Sequence, residues 1–386
     1  MNLSPANPDN SGKIRVALCT TELGIGGAER MFTELAVRVD RSRFEVSVFC
    51  MKPFPARGIL SCLPLLKNAG VEVHSLEIAG LYSLMTGIRQ LRLFFQKFKP
   101  HVCQSFLFHA NCISRIAAHS AGVRHIFSGI RVAEREKKWH LLADYWSHSL
   151  VEKYVCVSQS VSRFTELQGH IPRQKLLVIP NGLQVSDFFG KPQADLTEFG
   201  CRPESTKIIS IGRLHRQKGI DWLLETTPEW LGNHPDRELL IVGTGSEESR
   251  LKETARKLPF SDRIHFCGWR EDVPELLAAS DIMVLPSRWE GMPNVVLQAM
   301  AAGLPVLATR VEGVEELLGD DLAERQTSPF GDTKQWCRKI EQVLIAAKEL
   351  GIKNRQRVEE HFTIEKMVSA YEELWWNAVH KTDGTD

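Results

Sequence analysis

One acidic residue, Glu290, lies in a loop between an apolar run and a short apolar helix, within SRWEGMPNVVLQAMAAGLPV. The run from Asp281 to Pro286 predicts a strand, which Pro286 ends. Asn294 is the expected N-cap of the helix, Gly303 ends it, and a further strand follows, so the segment predicts a βαβ unit. Ligands bind where such strands end, and a helix N-terminus favours phosphate. A carboxylate beside it can accept hydrogen bonds from hydroxyls, which favours a sugar nucleotide as ligand.

Two cations follow another predicted strand in the same half of the chain. The stretch KIISIGRLHRQKG places Arg213 and Lys218 just after an apolar run. Transfer of a sugar from a nucleotide diphosphate leaves a diphosphate whose negative charge has to be neutralised. The sequence contains no D-x-D pair that could hold a metal ion for this purpose. The pattern therefore predicts that fixed cations neutralise the diphosphate and that no metal is required.

Both segments resemble motifs of the retaining GT-B glycosyltransferases of family 4 (group 1), namely the E-x7-E signature and the diphosphate clamp. The resemblance implies that Glu290 lies against the donor sugar and that Arg213 and Lys218 stabilise the departing diphosphate. The residues implied to hold the donor beside them are Gly291, Met292, Pro293 and Asn294. In the family, front-face attack lets the leaving phosphate take the acceptor proton, so no dedicated base is expected.

The chain departs from the family signature at one position. Gln298 stands eight residues after Glu290, where the family usually has a second Glu that takes the ribose hydroxyls. An amide oxygen accepts hydrogen bonds but holds a diol less strongly than a carboxylate does. The expectation is that Gln298 still contacts the ribose, and the alternative is a solvated helix residue.

A glycine-rich turn with Gly24, Gly26 and Gly27 follows the first predicted strand and precedes an amphipathic helix. Counted from Gly24, the sixth position of a dinucleotide fingerprint falls on Glu29 instead of Gly or Ala, which disfavours an NAD site. The turn resembles instead the G-G-A-E turn of the same family, whose amides face the donor phosphate. A turn that merely packs helix on strand is the alternative.

Two further residues are site candidates by their position. His109 follows one predicted strand and precedes a helix, where members of the family place cleft-facing residues, although it could equally have a packing role at the helix start. Arg270, followed by Glu271, comes after the predicted strand IHFCGW. There the resemblance places the nucleotide base.

The 386 residues are too many for one ordinary core, and strands and helices alternate throughout. The pattern predicts two Rossmann-like, doubly wound parallel-sheet domains facing a cleft, which is the GT-B fold. The expected ranges are 13–185 for an acceptor domain and 186–364 for a donor domain. The helix and tail at 365–386 are expected to pack back on the first domain, as in the family.

Charge is distributed unevenly although the whole chain carries only +1. Residues 1–185 have 23 Lys and Arg against 13 Asp and Glu, a net +10, whereas the remainder has 25 against 34, a net −9. The first domain is therefore expected to face the acceptor and any anionic membrane. The segment from Ile88 to His101 is a cationic amphipathic helix that could dock on lipid. Alternatively, its Leu91, Phe94, Phe95 and Phe98 pack in the core.

Other signals exclude several classes of protein. Nine cysteines occur without a C-x-x-C or metal-ligand spacing, so reduced core thiols are expected. No signal peptide and no membrane span are evident, which predicts a cytoplasmic protein, peripheral at the inner membrane face at most. No nucleic-acid partner is indicated.

The function implied by the resemblance is a retaining, metal-independent hexosyltransferase. It would move a sugar from a UDP- or GDP-linked donor to a lipid-linked or polysaccharide acceptor in cell-surface glycan synthesis. Two alternatives stay open: a GT-B sugar-nucleotide epimerase, and a non-catalytic protein that binds nucleotide sugars. The sequence names neither the sugar, nor the base, nor the acceptor.

Overall fold

A computed structural model of the chain describes residues 12–55 and 61–381. The chain divides into two compact units. Unit 1 consists of Met1–Asn181 and Ile364–Asp386, and unit 2 consists of Gly182–Thr363. The last five residues of the predicted C-terminal tail lie outside the described residues.

Unit 1 is built on a parallel sheet with helices packed on it. The strands are β1 (Ile14–Thr20), β2 (Phe44–Cys50), β3 (Glu72–Ser75), β4 (Val102–Phe106), β5 (His125–Ile130), β6 (Lys153–Cys156) and β7 (Leu176–Val178). The helices are α1 (Gly27–Arg38), α2 (Leu63–Asn68), α3 (Leu81–Phe98), α4 (Phe108–Ala121), α5 (Lys138–Ser147) and α6 (Gln159–Gly169). The strand order is β3-β2-β1-β4-β5-β6-β7, so the direction of winding reverses between β1 and β4.

Unit 2 repeats this architecture. Its strands are β8 (Thr206–Ile211), β9 (Arg237–Val242), β10 (Ile264–Gly268), β11 (Ile282–Leu285), β12 (Val306–Thr309) and β13 (Thr327–Ser328). Its helices are α7 (Ile220–Thr227), α8 (Glu248–Arg256), α9 (Val273–Ala278), α10 (Asn294–Ala301), α11 (Val314–Gln326), α12 (Thr333–Ile345) and α13 (Ala347–His361). The order β10-β9-β8-β11-β12-β13 places the reversal between β8 and β11, the point where doubly wound sheets bind ligands.

Most strands form where largely apolar runs predict them, because the central strands of a parallel sheet are buried on both faces. All seven residues of β1 and all six of β9 are buried. The predicted fold class of two Rossmann-like parallel-sheet domains is confirmed, and among the strands of the described residues the two-residue β13 was not predicted.

The cationic helix singled out in the sequence, α3, packs its apolar side into unit 1. Leu91 and Phe95 are fully buried, and Phe94 and Phe98 pack against the same cluster. The apolar residues proposed for lipid docking therefore belong to the core.

The final helix, α14 (Ile364–Lys381), completes the core of unit 1. Tyr371 and Trp375 are fully buried among residues of the N-terminal segment. The ring of Trp375 packs edge-on to Phe44 at a centroid distance of 5.8 Å, and Tyr371 lies 5.7 Å from Phe106. Unit 1 is thus assembled from both ends of the chain.

Candidate functional site

At the switch point of unit 2, where the strand order reverses between β8 and β11, the loops that follow these two strands approach each other closely. Gly219 ends the first loop with φ +66°, in the left-handed region that favours glycine. A Cβ atom at this position would lie 1.9 Å from the carbonyl oxygen of Pro286 in the second loop. Only a residue without a side chain allows this approach.

Hydrogen bonds hold the two loops together. The backbone N–H of Arg288 donates to the carbonyl of Gln217 at 2.7 Å, and the Gln217 side chain donates to the carbonyl of Trp289 at 2.8 Å. The Arg288 guanidinium makes two bonds to the Asp221 carboxylate, at 2.8 and 2.9 Å. Partial burial acts to raise the pKa of Asp221, but the bonds from Arg288 leave it below its usual value. The loops form one rigid frame.

Within this frame Lys218 and Glu290 form a short ion pair. Lys218 Nζ lies 2.6 Å from Glu290 Oε1, and the fully buried Ser287 donates its hydroxyl to the same oxygen at 2.6 Å. The Glu290 side chain is 8% exposed and that of Lys218 is 19% exposed. Glu290 Oε2 accepts no hydrogen bond from the described part of the chain. Two residues predicted to act on different parts of one ligand are therefore direct neighbours.

Arg213 adds a second cation at this edge of the sheet. It follows β8 directly, its side chain is exposed, and it forms no ion pair with residues 12–55 or 61–381. The alkyl chain of Lys218 passes over Gly212, with its Cδ and Cε 3.6 Å from where a Cβ of Gly212 would be. The two cations thus converge on the same strand end, and the charge of Arg213 is available to a ligand.

The helix α10 begins at Asn294, and Pro293 is its N-cap. The predicted N-cap role of Asn294 is wrong: Pro293 has an extended backbone, and its carbonyl accepts from the N–H groups of Val296 and Leu297. Proline has no polar side-chain atom, so the N-cap residue itself makes no capping hydrogen bond. The N-terminus of a helix carries a partial positive charge.

The segment before α10 is packed beneath a second left-handed glycine. Gly313 has φ +78°, and a Cβ there would lie 2.4 Å from the carbonyl oxygen of Gly291 and 2.7 Å from Met292 Cα. The carboxylate of Glu312 accepts the backbone N–H of Glu290 at 3.2 Å. Gly291, Met292 and Pro293 are buried, so this segment is fixed in place.

Gln298 lies in the middle of α10 and is half-buried. Its backbone carbonyl accepts from Ala302, whereas its side-chain amide has no hydrogen bond to any described residue. The amide is therefore free to bind a ligand, and its predicted contact with a ribose stays a prediction.

Arg270 is already paired. Its guanidinium makes two bonds of 2.7 Å to Asp272, lies 2.9 Å from Glu198 and stacks over Phe199 at 5.1 Å. The bonds to Asp272 raise the pKa of Arg270 and lower that of Asp272. These contacts fasten the loop after β10, and the predicted proximity to a nucleotide base stays a prediction.

The glycine turn of unit 1 caps helix α1. Gly26 is the N-cap in an extended conformation, and Gly27 is the first helical residue. A Cβ on Gly26 would lie 2.2 Å from a carboxylate oxygen of Glu29. The Glu29 carboxylate thus lies over the helix N-terminus, where an anion is stabilised. A donor phosphate at this turn would have to displace it.

His109 lies in the first turn of α4, exposed at the edge of the sheet. The residue two before it, Leu107, has φ +73° and ψ +149°, a conformation that non-glycine residues rarely adopt and that is found mostly at functional sites. Partial burial lowers the pKa of His109, and the nearby His140 and Lys137 lower it further. The imidazole is therefore neutral at neutral pH.

Unit 1 also contains a cavity that the sequence did not predict. It has a volume of about 70 Å³ and lies between α4, α5, α6 and the end of β5. Its polar lining includes Asp144, which the fully buried Arg115 binds at 2.8 Å, and His140, whose Nδ1 lies 2.8 Å from Glu134. Arg115 is the one charged residue in NCISRIAA, and that isolated charge was the signal that could have indicated a buried pair.

One cluster in unit 2 has the residue types of a metal site. Cys201, Glu238 and His265 are buried with their ligand atoms within 4.8 Å of one another. However, Arg202 already binds Glu238 through its side chain at 2.7 Å and its backbone at 3.1 Å. Burial raises the pKa of the Cys201 thiol to about 12. The three residues thus form a buried polar cluster in which the Glu238 carboxylate is already paired with Arg202.

The described helices contain no segment long and apolar enough to cross a membrane.

Two doubly wound parallel sheets, with a cation and a carboxylate paired at a switch point, define a class of two-domain α/β proteins that bind ligands at strand ends. The comparisons with known proteins identify the family within this class. A profile described as Glycosyltransferase Family 4 matches residues 25–187, and one described as Glycosyl transferases group 1 matches residues 205–345. The chain belongs to the group 1 glycosyltransferases and has the GT-B fold.

Characterised relatives are glycosyltransferases. The Escherichia coli UDP-Gal:alpha-D-GlcNAc-diphosphoundecaprenol alpha-1,3-galactosyltransferase is 26% identical over 78% of this chain and 80% of its own length. The Bacillus anthracis N-acetyl-alpha-D-glucosaminyl L-malate synthase is 30% identical over 54% of this chain, and the match spans 55% of that relative. The chain is accordingly a glycosyltransferase.

Solved structures share the fold at low sequence identity. Anabaena HepE in complex with UDP and glucose has a TM-score of 0.82 at 17% identity, covering 94% of this chain and all of HepE. The lipopolysaccharide outer core galactosyltransferase WaaB, in its apo form, has a TM-score of 0.71 at 16% identity, covering 96% of this chain and all of WaaB. At these identities the likeness concerns the fold alone.

Proposed function

We propose that the protein is a retaining hexosyltransferase that takes a UDP- or GDP-linked sugar and transfers the sugar to a lipid-linked or polysaccharide acceptor. The main observation behind this proposal is the Lys218–Glu290 pair at the switch point of unit 2, with Arg213, which has no ion pair among the described residues, at the same strand end. A diphosphate needs two or more positive charges, and the sugar beside it needs an acceptor of hydrogen bonds. Both requirements are met within one rigid pair of loops.

The roles of the residues follow from their charges and contacts. Lys218 has three N–H donors and uses one on Glu290, so the others are available to a phosphate oxygen. Arg213 supplies the second charge on the departing diphosphate. Glu290 Oε2 accepts from sugar hydroxyls and stabilises positive charge that develops on the ring. The N-terminus of α10 adds a partial positive charge.

The comparisons support the nature of the two substrates. HepE structures contain UDP and UDP-glucose, and the Escherichia coli relative uses a UDP-sugar and a diphosphoundecaprenol-linked acceptor. For the present chain we take the donor to be a nucleotide diphosphate sugar and the acceptor to be a glycan or glycolipid of the cell surface. No metal is required in this scheme, because Lys218 and Arg213 provide the charge. A location at the cytoplasmic face of a membrane agrees with nine free cysteines.

Two measurements test this function. Calorimetric titration with UDP- and GDP-linked hexoses identifies the donor, and release of nucleotide diphosphate is then followed with and without glycolipid acceptors. We expect release to require an acceptor and to persist in EDTA. An epimerase would interconvert the donor sugar without any acceptor, and a binding protein would take up donor with no turnover on the whole acceptor panel. Strict dependence on Mg²⁺ would contradict the role given to the two cations.

A further inference from the structure

Helix α5 in unit 1 is amphipathic, but its apolar side faces solvent and its polar residues face the interior. Its outward face carries four large apolar side chains: Trp139, Leu142, Tyr145 and Trp146, which are 55%, 56%, 42% and 76% exposed. These positions lie on one side of a helix with 3.6 residues per turn. Its buried residues are instead the polar His140 and Asp144. Exposed aromatic patches and buried charges are each unusual in a soluble helix, and here one helix combines them.

The inward polar residues have local partners. Asp144 is bound to Arg115 at 2.8 Å, and His140 Nδ1 lies 2.8 Å from Glu134. Both His140 and Asp144 line the cavity of unit 1. The orientation of α5 is therefore fixed on its inner side by the Arg115–Asp144 ion pair and the hydrogen bond between His140 and Glu134. Its apolar side faces solvent because the helix cannot turn without breaking those pairs.

Positive charge surrounds the aromatic face. Lys138 is exposed and stands four residues before Leu142, on the same side of α5, and Lys137 precedes it. On the adjacent helix α6, the exposed Arg163 stands four residues before Leu167, which is 55% exposed. The segment 135–175 carries seven Lys or Arg against four Asp or Glu, a net +3. Trp and Tyr bordered by cations suit the boundary between anionic headgroups and acyl chains.

We infer that the outward face of α5, with Lys138 and Leu167, inserts into the surface of an anionic phospholipid bilayer. This inference deepens the proposed function and rests on it, because a membrane-bound enzyme with a lipid-linked acceptor needs its acceptor unit at the lipid surface. The inner side of the same helix lines the cavity, so the cavity lies one helix diameter from the membrane surface.

The structure favours α5 over α3 as the contact. On α3 the aromatic residues pack in the core, and the exposed apolar residues Met85 and Leu93 are aliphatic. On α5 the exposed residues are mainly Trp and Tyr. The interfacial contact expected from the sequence for the first unit is thus assigned to a different helix.

Vesicle binding tests the assignment with a matched control. The full chain is mixed with phosphatidylcholine vesicles or with vesicles that also contain phosphatidylglycerol, and bound protein is measured by flotation. The test variant is Trp139→Ser/Trp146→Ser, and the control is Met85→Ser/Leu93→Ser, whose side chains are 73% and 56% exposed. We expect wild type and control to bind anionic vesicles, and the test variant to bind about tenfold less or weaker still. Equal binding by both double variants would overturn the inference.

Two further readouts separate lipid from other occupants. Brominated lipids should quench part of the tryptophan fluorescence of wild type, and Trp146→Phe should lose part of that quenching. Lys137→Glu/Lys138→Glu should weaken binding to anionic vesicles more than Arg92→Glu/Lys97→Glu does. A concentration-dependent dimer that Trp139→Ser/Trp146→Ser dissolves, without vesicle binding, would show that a second copy covers the face and overturn the inference.

The assay is independent of the proposed transfer reaction, because it contains no donor and no acceptor. Donor binding is measured in parallel by calorimetry on the same variants and should be unchanged. Vesicle binding without donor binding or turnover would contradict the proposed function and leave the surface supported. Donor turnover without vesicle binding would contradict the membrane contact of α5 but not the proposed function.

Discussion

Both units bury a carboxylate against a cation, but the two pairs leave very different numbers of unused donors. In unit 1 the fully buried Arg115 binds Asp144 and donates to Ser147, Ser128, Tyr154 and the carbonyl of Asn111. In unit 2 Lys218 is partly exposed and binds only Glu290 among the described residues. A pair whose donors are all used holds a fold together, whereas a pair with unused donors at an open strand end can receive a ligand. The number of unused hydrogen-bond donors distinguishes a structural pair from a ligand-binding pair better than burial does.

The largest effect on stability is expected from breaking the Arg115–Asp144 pair in unit 1. Arg115→Leu should lower the free energy of unfolding by about 3–5 kcal/mol, because Asp144 is left charged and buried without its partner. Arg115→Leu/Asp144→Leu should recover much of this loss, since no charge is left unpaired. Equilibrium urea unfolding measures both. If the single variant is as stable as wild type, the pair is not the anchor of α4 and α5 that the comparison requires.

For the pair in unit 2 we expect a loss of activity that is larger than any loss of stability. Lys218→Ala and Arg213→Ala should each reduce kcat by about 10² or more, as for other preorganised groups that stabilise developing charge. The melting temperature should change little in Arg213→Ala, because that side chain is exposed. It should fall less in Lys218→Ala than in Arg115→Leu, because Lys218 is only partly buried and Ser287 still binds Glu290. Lys257→Ala, an exposed lysine of the same unit paired only with Glu253, is the control and should keep full activity. Full activity of either test variant would remove that cation from the site.

Glu290 allows a finer test of the same pair. Glu290→Gln should reduce kcat roughly tenfold or more while the protein stays folded, since an amide cannot match a carboxylate in stabilising positive charge. Ser287→Ala removes only the supporting hydroxyl bond, worth about 1 kcal/mol, and should have a smaller effect. Steady-state kinetics with thermal melting distinguishes them. Wild-type kcat in Glu290→Gln would make the residue purely structural, like Asp144.

The smallest expected effect concerns Gln298, the departure from the family signature. Gln298→Leu removes one or two hydrogen bonds, worth about 1 kcal/mol each and more where the ribose hydroxyls are left buried and unpaired, so donor affinity should fall by about 5- to 100-fold. Gln298→Glu should be tolerated and should bind the donor at least as tightly. Calorimetric titration measures both. Unchanged affinity in Gln298→Leu would mean that α10 does not touch the ribose, and the nucleotide would have to be placed elsewhere.

The fold was predictable from the sequence because the strands of a parallel sheet have a recognisable apolar pattern. The run that forms β11 is apolar throughout and that of β1 is largely apolar, since both faces of each strand are covered, and turn residues mark their ends. β13 was missed because two residues carry no pattern. The N-cap of α10 was misplaced by one residue, because Asn294 has the higher cap preference but Pro293 has the required backbone conformation.

The candidate site was predictable as a set of residues but not as a set of contacts. Sequence placed Lys218 and Glu290 on two strand ends, and their pairing depends on the close approach at Gly219. For α5 the periodic pattern reveals an apolar face but not the direction in which it points. Here Arg115, which is 29 residues away in the chain, decides that direction by binding Asp144. Pairings between distant segments lie beyond any local pattern.

The division of unit 1 between the two ends of the chain has a consequence for synthesis on the ribosome. Unit 2 is one continuous segment, so all of its residues have been synthesised before the last helix is translated. Unit 1 begins first but obtains Tyr371 and Trp375, two of its largest core side chains, only at the end. We expect the nascent N-terminal segment to stay open to proteases until α14 arrives, which limited proteolysis of stalled chains would detect. The segment made first is then the last to reach its final folded state.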